Sequence, residues 1–194
     1  MLQIKFKEAQ LKVPWRWDVD WSLRPGQVHW LAGANGVGKT SLFNELKARF
    51  GARGDMVFVD QGPLAPYQDL TVAQVFAVVW EVAGPRQRLP RWQDLDEWDA
   101  ESRSWWERPL SRLSGGQNQW VKLMMAMAVR GECWWLDEPF QALDAAHAEK
   151  LWHWIRRRTN EGETVVYTHH GDPAANVVGW SLTTRDGSKS VVSA

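Results

Sequence analysis

A chain of 194 residues with 23 basic and 23 acidic side chains is formally neutral. Its length suits one domain with a substantial core, and its balanced charge argues against a protein that holds nucleic acid mainly by neutralising phosphates. One cysteine, Cys133, leaves no partner for an intrachain disulfide and points to a reducing, cytoplasmic setting.

The first residues alternate apolar and charged, without the apolar run of a signal peptide. No window reaches the roughly 20 apolar residues of a membrane span; residues 72–82 come nearest and hold Gln74 and Glu81. A soluble chain is expected, one that reaches a membrane only through a partner. In chain order, residues 2–7 have the period of a strand, Pro25-Gly26 marks a turn, and residues 28–32 read as a buried strand entering a glycine-rich loop. Residues 40–50 have helical spacing, with Leu42, Phe43 and Leu46 on one side; Gly51 and Gly54 close the helix before a short strand at 56–59. A helix begins near Leu70. A polar stretch from Pro85 to Pro109 carries Trp92, Trp98, Trp105 and Trp106 and reads as a helical insertion.

Further on, 116–129 is predicted as a helix, 133–136 as a buried strand, 145–158 as a helix and 164–168 as the last core strand. Trp180 opens a strand ending in an Asp186-Gly187 turn. Strands alternating with helices predict a parallel sheet with crossovers. Tryptophan is over-used, with 15 against 6 Phe and 2 Tyr, and Trp30, Trp134 and Trp135 stand where aliphatics would serve. They are expected mainly as large packing residues.

Gly33-Ala34-Asn35-Gly36-Val37-Gly38-Lys39-Thr40, followed by Ser41, fits the G-x-x-x-x-G-K-[ST] phosphate loop and lies between a predicted strand and a predicted helix. Its glycines let consecutive amides turn inward on a phosphate, and the helix start adds its positive dipole end. Lys39 can reach the β- and γ-phosphates of ATP, and the Thr40 hydroxyl can ligate Mg2+. The run 133–139, an apolar strand ending in Asp137-Glu138-Pro139, puts one carboxylate near that metal and offers Glu138 as a base for attacking water. Leu113-Ser114-Gly115-Gly116-Gln117 opens a long helix with a second anion-binding turn. A chain that already has one phosphate loop needs this second turn only if it serves the ATP of another copy.

With that pentapeptide the chain resembles the ABC ATPase family, whose signature it is. The resemblance implies an α/β fold: a RecA-like P-loop core with a mostly parallel sheet, a small N-terminal antiparallel β part and an inserted helical sub-domain. It implies one nucleotide-binding domain over 1–194, the core at about 1–62 and 113–194 and the helical part at about 63–112. Ser114, Gly115, Gly116 and Gln117 would meet the γ-phosphate across a head-to-tail dimer. Gln61 is similar to the family's Q-loop glutamine and would touch metal or water. Asp144, ending Gln141-Ala142-Leu143-Asp144, resembles the D-loop aspartate on the dimer seam, and His169 the switch histidine on the γ-phosphate.

The chain departs from the family pattern at Ala65, where an aromatic is usual, at Trp120, where Arg is usual, and at His170, where Asp is frequent. No aromatic falls at 7–13, where the adenine-stacking residue is expected, which leaves Trp15, Trp17 and Phe6 as substitutes. The implied activity is ATP hydrolysis with Mg2+, coupled to a second cassette and to transmembrane permease subunits. No nucleic-acid partner is implied, and the chain would sit on the cytoplasmic face of the membrane. The run Leu136 to Asp144 resembles the compact haem-exporter ATPases of cytochrome c maturation. The alternative is a soluble ABC ATPase serving repair, translation or cofactor assembly. The insertion's tryptophans serve either as a docking face for a membrane partner or as packing within the sub-domain.

Overall fold

The computed structural model describes residues 2–9, 16–62, 64–87, 100–169, 177–185 and 188–193. Its strands are β1 (Leu2–Ala9), β2 (Arg16–Leu23), β3 (Val28–Ala32), β4 (Met56–Val59), β5 (Cys133–Leu136), β6 (Thr164–Thr168), β7 (Val178–Arg185) and β8 (Ser188–Ser193). Its helices are α1 (Lys39–Phe50), α2 (Val72–Gln87), α3 (Ala100–Ser104), α4 (Gly115–Met127) and α5 (Ala145–Asn160). All eight strands form one sheet in the order β1-β2-β8-β7-β3-β6-β5-β4.

The central strands are parallel: β3 lies between β6 and β7, and β5 between β6 and β4. This is the α/β architecture expected. Such strands are covered on both faces and read as continuous apolar runs, and β5 is buried at every position. Trp134 and Trp135 point to opposite faces and join different cores. Trp134 meets Trp154 of α5 edge-on at 4.8 Å, and Trp135 meets Trp21 of β2 edge-on at 5.3 Å.

One strand escaped the sequence reading. Residues 16–23 alternate strictly, with Trp17, Val19, Trp21 and Leu23 buried and Asp18 and Asp20 exposed, the period of a half-buried strand. The small antiparallel part expected at the N-terminus is β1 with β2, and it joins the main sheet. β2 pairs antiparallel with β1 and parallel with β8, and β8 returns antiparallel along β7, so the hairpin β7–β8 carries the N-terminal strands on the main sheet. The Asp186-Gly187 turn itself lies outside the described residues.

Between β4 and α4 the chain leaves the sheet. α2 runs on to Gln87, past the Pro85 read as the start of the polar stretch. Its start is closed by a reciprocal cap: Thr71 Oγ1 accepts from the Gln74 amide, and Gln74 Oε1 accepts from the Thr71 amide. Backbone bonds clasp the base of this excursion, from Val72 N–H to the Arg108 carbonyl (3.1 Å) and from Leu110 N–H to the Leu70 carbonyl (3.0 Å). Trp105 is buried and Trp106 half-buried against the same core; Trp92 and Trp98 lie outside the described residues. No helix among the described residues is long and apolar enough to cross a membrane.

Candidate functional site

Parallel strands deliver their following loops to one edge of the sheet, where α/β proteins bind ligands. Here β3 leads into the glycine loop, β4 into Asp60 and Gln61, β5 into Asp137 and Glu138, and β6 into His169. The sheet order β3-β6-β5-β4 therefore brings together residues that the sequence scatters over more than a hundred positions.

The glycine loop is closed by Val37 N–H to the Ala34 carbonyl (3.2 Å) and passes into α1 through Gly38. Gly38 is the N-cap with φ 108°, a left-handed conformation that side chains resist. It contributes no side-chain cap, and the first turn of α1 holds no acidic residue. The helix's leading amides are thus left for an anion. Lys39 is buried, and its Nζ donates to the Gly33 carbonyl at 2.7 Å and to the Ala34 carbonyl at 3.4 Å. The ammonium bridges the mouth of its own loop. Thr40 is exposed and Ser41 half-buried beside it.

Asp137 and Glu138 are 1% and 4% exposed. The Thr168 hydroxyl organises both: it donates to Asp137 Oδ1 at 2.6 Å and accepts from the Glu138 amide at 2.8 Å. Asp137 Oδ2 is buried with no hydrogen-bond partner among the described residues. Glu138 sits at φ 48°, a strained conformation for a residue with a Cβ, worth about 1–2 kcal/mol. His169 Nδ1 lies 3.7 Å from Glu138 Oε2. Gln61 is exposed at the end of β4.

Ser114 and Gln117 form a complete capping box on α4. Ser114 Oγ accepts from the Gln117 amide (3.2 Å), and Gln117 Oε1 accepts from the Ser114 amide (3.0 Å). A Cβ on Gly116 would stand 2.4 Å from the Ala142 carbonyl oxygen, whereas one on Gly115 would meet nothing within 4 Å. The serine-glycine turn thus packs on residue 142 at Gly116 and stays open at Ser114 and Gly115. Asp144 caps α5 through the His147 amide (2.8 Å) and pairs with His147 Nδ1 (2.9 Å). These bonds, the amide first, hold its carboxyl below the ordinary range.

Several contributors were not singled out from sequence. Thr168 ends a buried strand that also carries the Thr164 and Tyr167 hydroxyls, and only the pairing of β6 with β5 sets it apart. Lys189 has no local signal at all. It is 4% exposed on β8, burial holds its pKa below the usual lysine range, and its Nζ donates to the Val37 carbonyl from behind the glycine loop. Only the pairing of β8 puts it there. Of the adenine candidates, Trp17 is excluded because it is 1% exposed inside the core; Trp15 and the Phe6 side chain lie outside what is described, as does His170. Trp120, fully buried, donates to Ser102 Oγ at 3.1 Å and lies 4.8 Å from the His147 ring. Trp120 thus makes an aromatic packing contact at this position.

Residues 17–141 match the ABC transporter family model. Over 168 residues the chain is 30% identical to the cytochrome c biogenesis ATP-binding export protein CcmA of Idiomarina loihiensis, covering 79% of this chain and 77% of that protein. It is 31% identical to the hemin import ATP-binding protein HmuV of Rhodococcus jostii, of which the match spans 60%. A solved ATP-binding subunit of an ABC transporter superposes with TM-score 0.79 at 18% identity, over 98% of this chain and 89% of that one, a likeness of fold.

Proposed function

We propose that this chain, which belongs to the ABC transporter family, is the subunit that binds and hydrolyses ATP to drive a transmembrane partner, working as one of two cassettes set head to tail. The observation that carries the assignment of residues is the shared strand edge. There Lys39, the open amides of α1, the unpartnered Asp137 Oδ2, Glu138 and His169 lie on neighbouring loops.

On this reading residues 33–41 wrap the phosphates. Lys39 exchanges the neutral carbonyls it now holds for charged phosphate oxygens, a stronger bond. A buried carboxylate oxygen lacking a hydrogen-bond partner among the described residues, at the same strand edge as Thr40, fits a hard cation that takes oxygen ligands. Thr40, Asp137 and Gln61 would hold Mg2+, which would supply neutralisation of phosphate charge. Glu138, its backbone fixed through Thr168, accepts the proton of the attacking water. His169 contacts the γ-phosphate and orients Glu138. The far side of the phosphate is closed by Ser114, Gly115, Gly116, Gln117 and Asp144 of the other cassette, since stabilising the transferred charge requires donors on both sides. Residues 63–112 form the helical arm toward a permease, with 1–62 and 113–194 as the catalytic core, and the permease holds the chain at the inner membrane face.

Glu138→Gln should bind ATP as the parent does and lose at least about 100-fold in turnover, the usual scale for a positioned base. Ser114→Arg should lose turnover while the monomer still binds ATP. Equilibrium nucleotide binding and phosphate release measure both. Undiminished phosphate release by Glu138→Gln removes Glu138 from its role, and normal hydrolysis by Ser114→Arg removes the second cassette's turn.

A further inference from the structure

Lys122 has no part in the site described so far. It lies two turns into α4, on a helix that buries Val121, Leu123 and Met124 around it, and is itself only 7% exposed. A lysine is rarely buried to that degree without partners that justify its desolvation. Its partners are two backbone carbonyls: Nζ donates to the carbonyl of Asp60 at 2.8 Å and to that of Gly62 at 2.9 Å. Those carbonyls flank Gln61. One ammonium therefore pins both ends of the three-residue arc that presents the glutamine, and Gln61 itself stays exposed. Burial lowers the lysine's pKa, while attraction to Asp60 and Asp137 works against that loss.

The same helix begins with the Ser114–Gly116 turn. An apolar residue at position 122 could donate to neither carbonyl and would leave residues 60–62 without this clamp. We infer that Lys122 is a positioning residue that makes the serine-glycine helix and the Gln61 loop one mechanical unit, so that docking of the turn on a partner's nucleotide is felt at the chain's own Gln61. The inference rests on Gln61 serving hydrolysis, as proposed above.

The test compares Lys122→Met, Lys122→Arg, Gln61→Ala and the double variant Lys122→Met with Gln61→Ala, in the full chain with Mg-ATP. Lys122→Met should lower kcat about tenfold while ATP affinity changes less than about twofold, in line with the cost of small misplacements. Lys122→Arg should recover most of that loss. The double variant should be no slower than Gln61→Ala alone, the non-additivity of residues acting as one unit. Losses that multiply, or an unchanged kcat in Lys122→Met, overturn the inference.

Amide hydrogen exchange gives a reading independent of catalysis. In Lys122→Gln the peptide spanning residues 60–62 should exchange faster, with α1 unchanged; unaltered exchange there overturns the clamp. If Gln61→Ala alone leaves kcat intact, the proposed role of Gln61 fails, and the exchange result still decides whether Lys122 holds the loop.

Discussion

His29 shows how one buried side chain sets the chain's tolerance of acid. It is 1% exposed on β3, and its Nδ1 accepts a hydrogen bond from Trp180 Nε1 at 2.9 Å. Only the neutral ring can accept there, and burial lowers its pKa from 6.5 to about 4. Because the folded value lies below the unfolded one, protons favour the unfolded chain. Stability should be full above about pH 6.5 and fall as pH drops toward 4, by about 2 kcal/mol at pH 5 from this group alone. His29→Gln, which keeps an acceptor, should flatten that part of the stability curve in chemical denaturation at pH 7 and pH 5; an unchanged slope would clear His29 of the effect. The residues proposed nearest the chemistry were legible for a different reason. Lys39 sits in a short pattern whose spacing is itself the requirement of phosphate binding, while Asp137 and Glu138 gain their reading only in the company of that loop. Thr168 and Lys189 act only through strands that pair with distant segments.

Among the elements, α4 is the most informative. Its two leading glycines look equivalent in sequence and are not equivalent in space. Gly116→Ala would drive a Cβ to 2.4 Å from the carbonyl oxygen of Ala142, a residue whose own backbone is at φ 63°. The helix or residues 141–144 must then move, at a cost of about 1–3 kcal/mol, the range for overpacking. Gly115→Ala meets nothing within 4 Å and replaces the weaker helix former, so stability should rise by up to about 1 kcal/mol. Thermal unfolding distinguishes them, and equal shifts in the same direction would contradict this packing. At this scale hydrophobic period was a good guide where an element is long or wholly buried, as for α1, α5, β5 and β6. It missed β2, although 16–23 alternates cleanly, and it gave α2 a start but no end, which lies at Gln87, past Pro85. The contact of Trp120 with Ser102 and His147 lay beyond it, since three elements separated in sequence meet there.

For the molecule as a whole, the arrangement is half a site on the proposed reading. The carboxyl edge of the sheet gathers the glycine loop, the paired carboxylates and His169, while the Ser114 turn stays open at Gly115 and hydrogen-bonds within its own helix. Two such chains facing each other would complete two sites, and hydrolysis would then release the pair. The most direct measurement is the solution mass of Glu138→Gln with and without Mg-ATP, by light scattering on a gel-filtration column. From a 22.3 kDa chain, the account predicts a doubling of mass that depends on ATP and is abolished by adding Ser114→Arg. A mass that stays that of one chain at saturating ATP, or a doubling that survives Ser114→Arg, would contradict it.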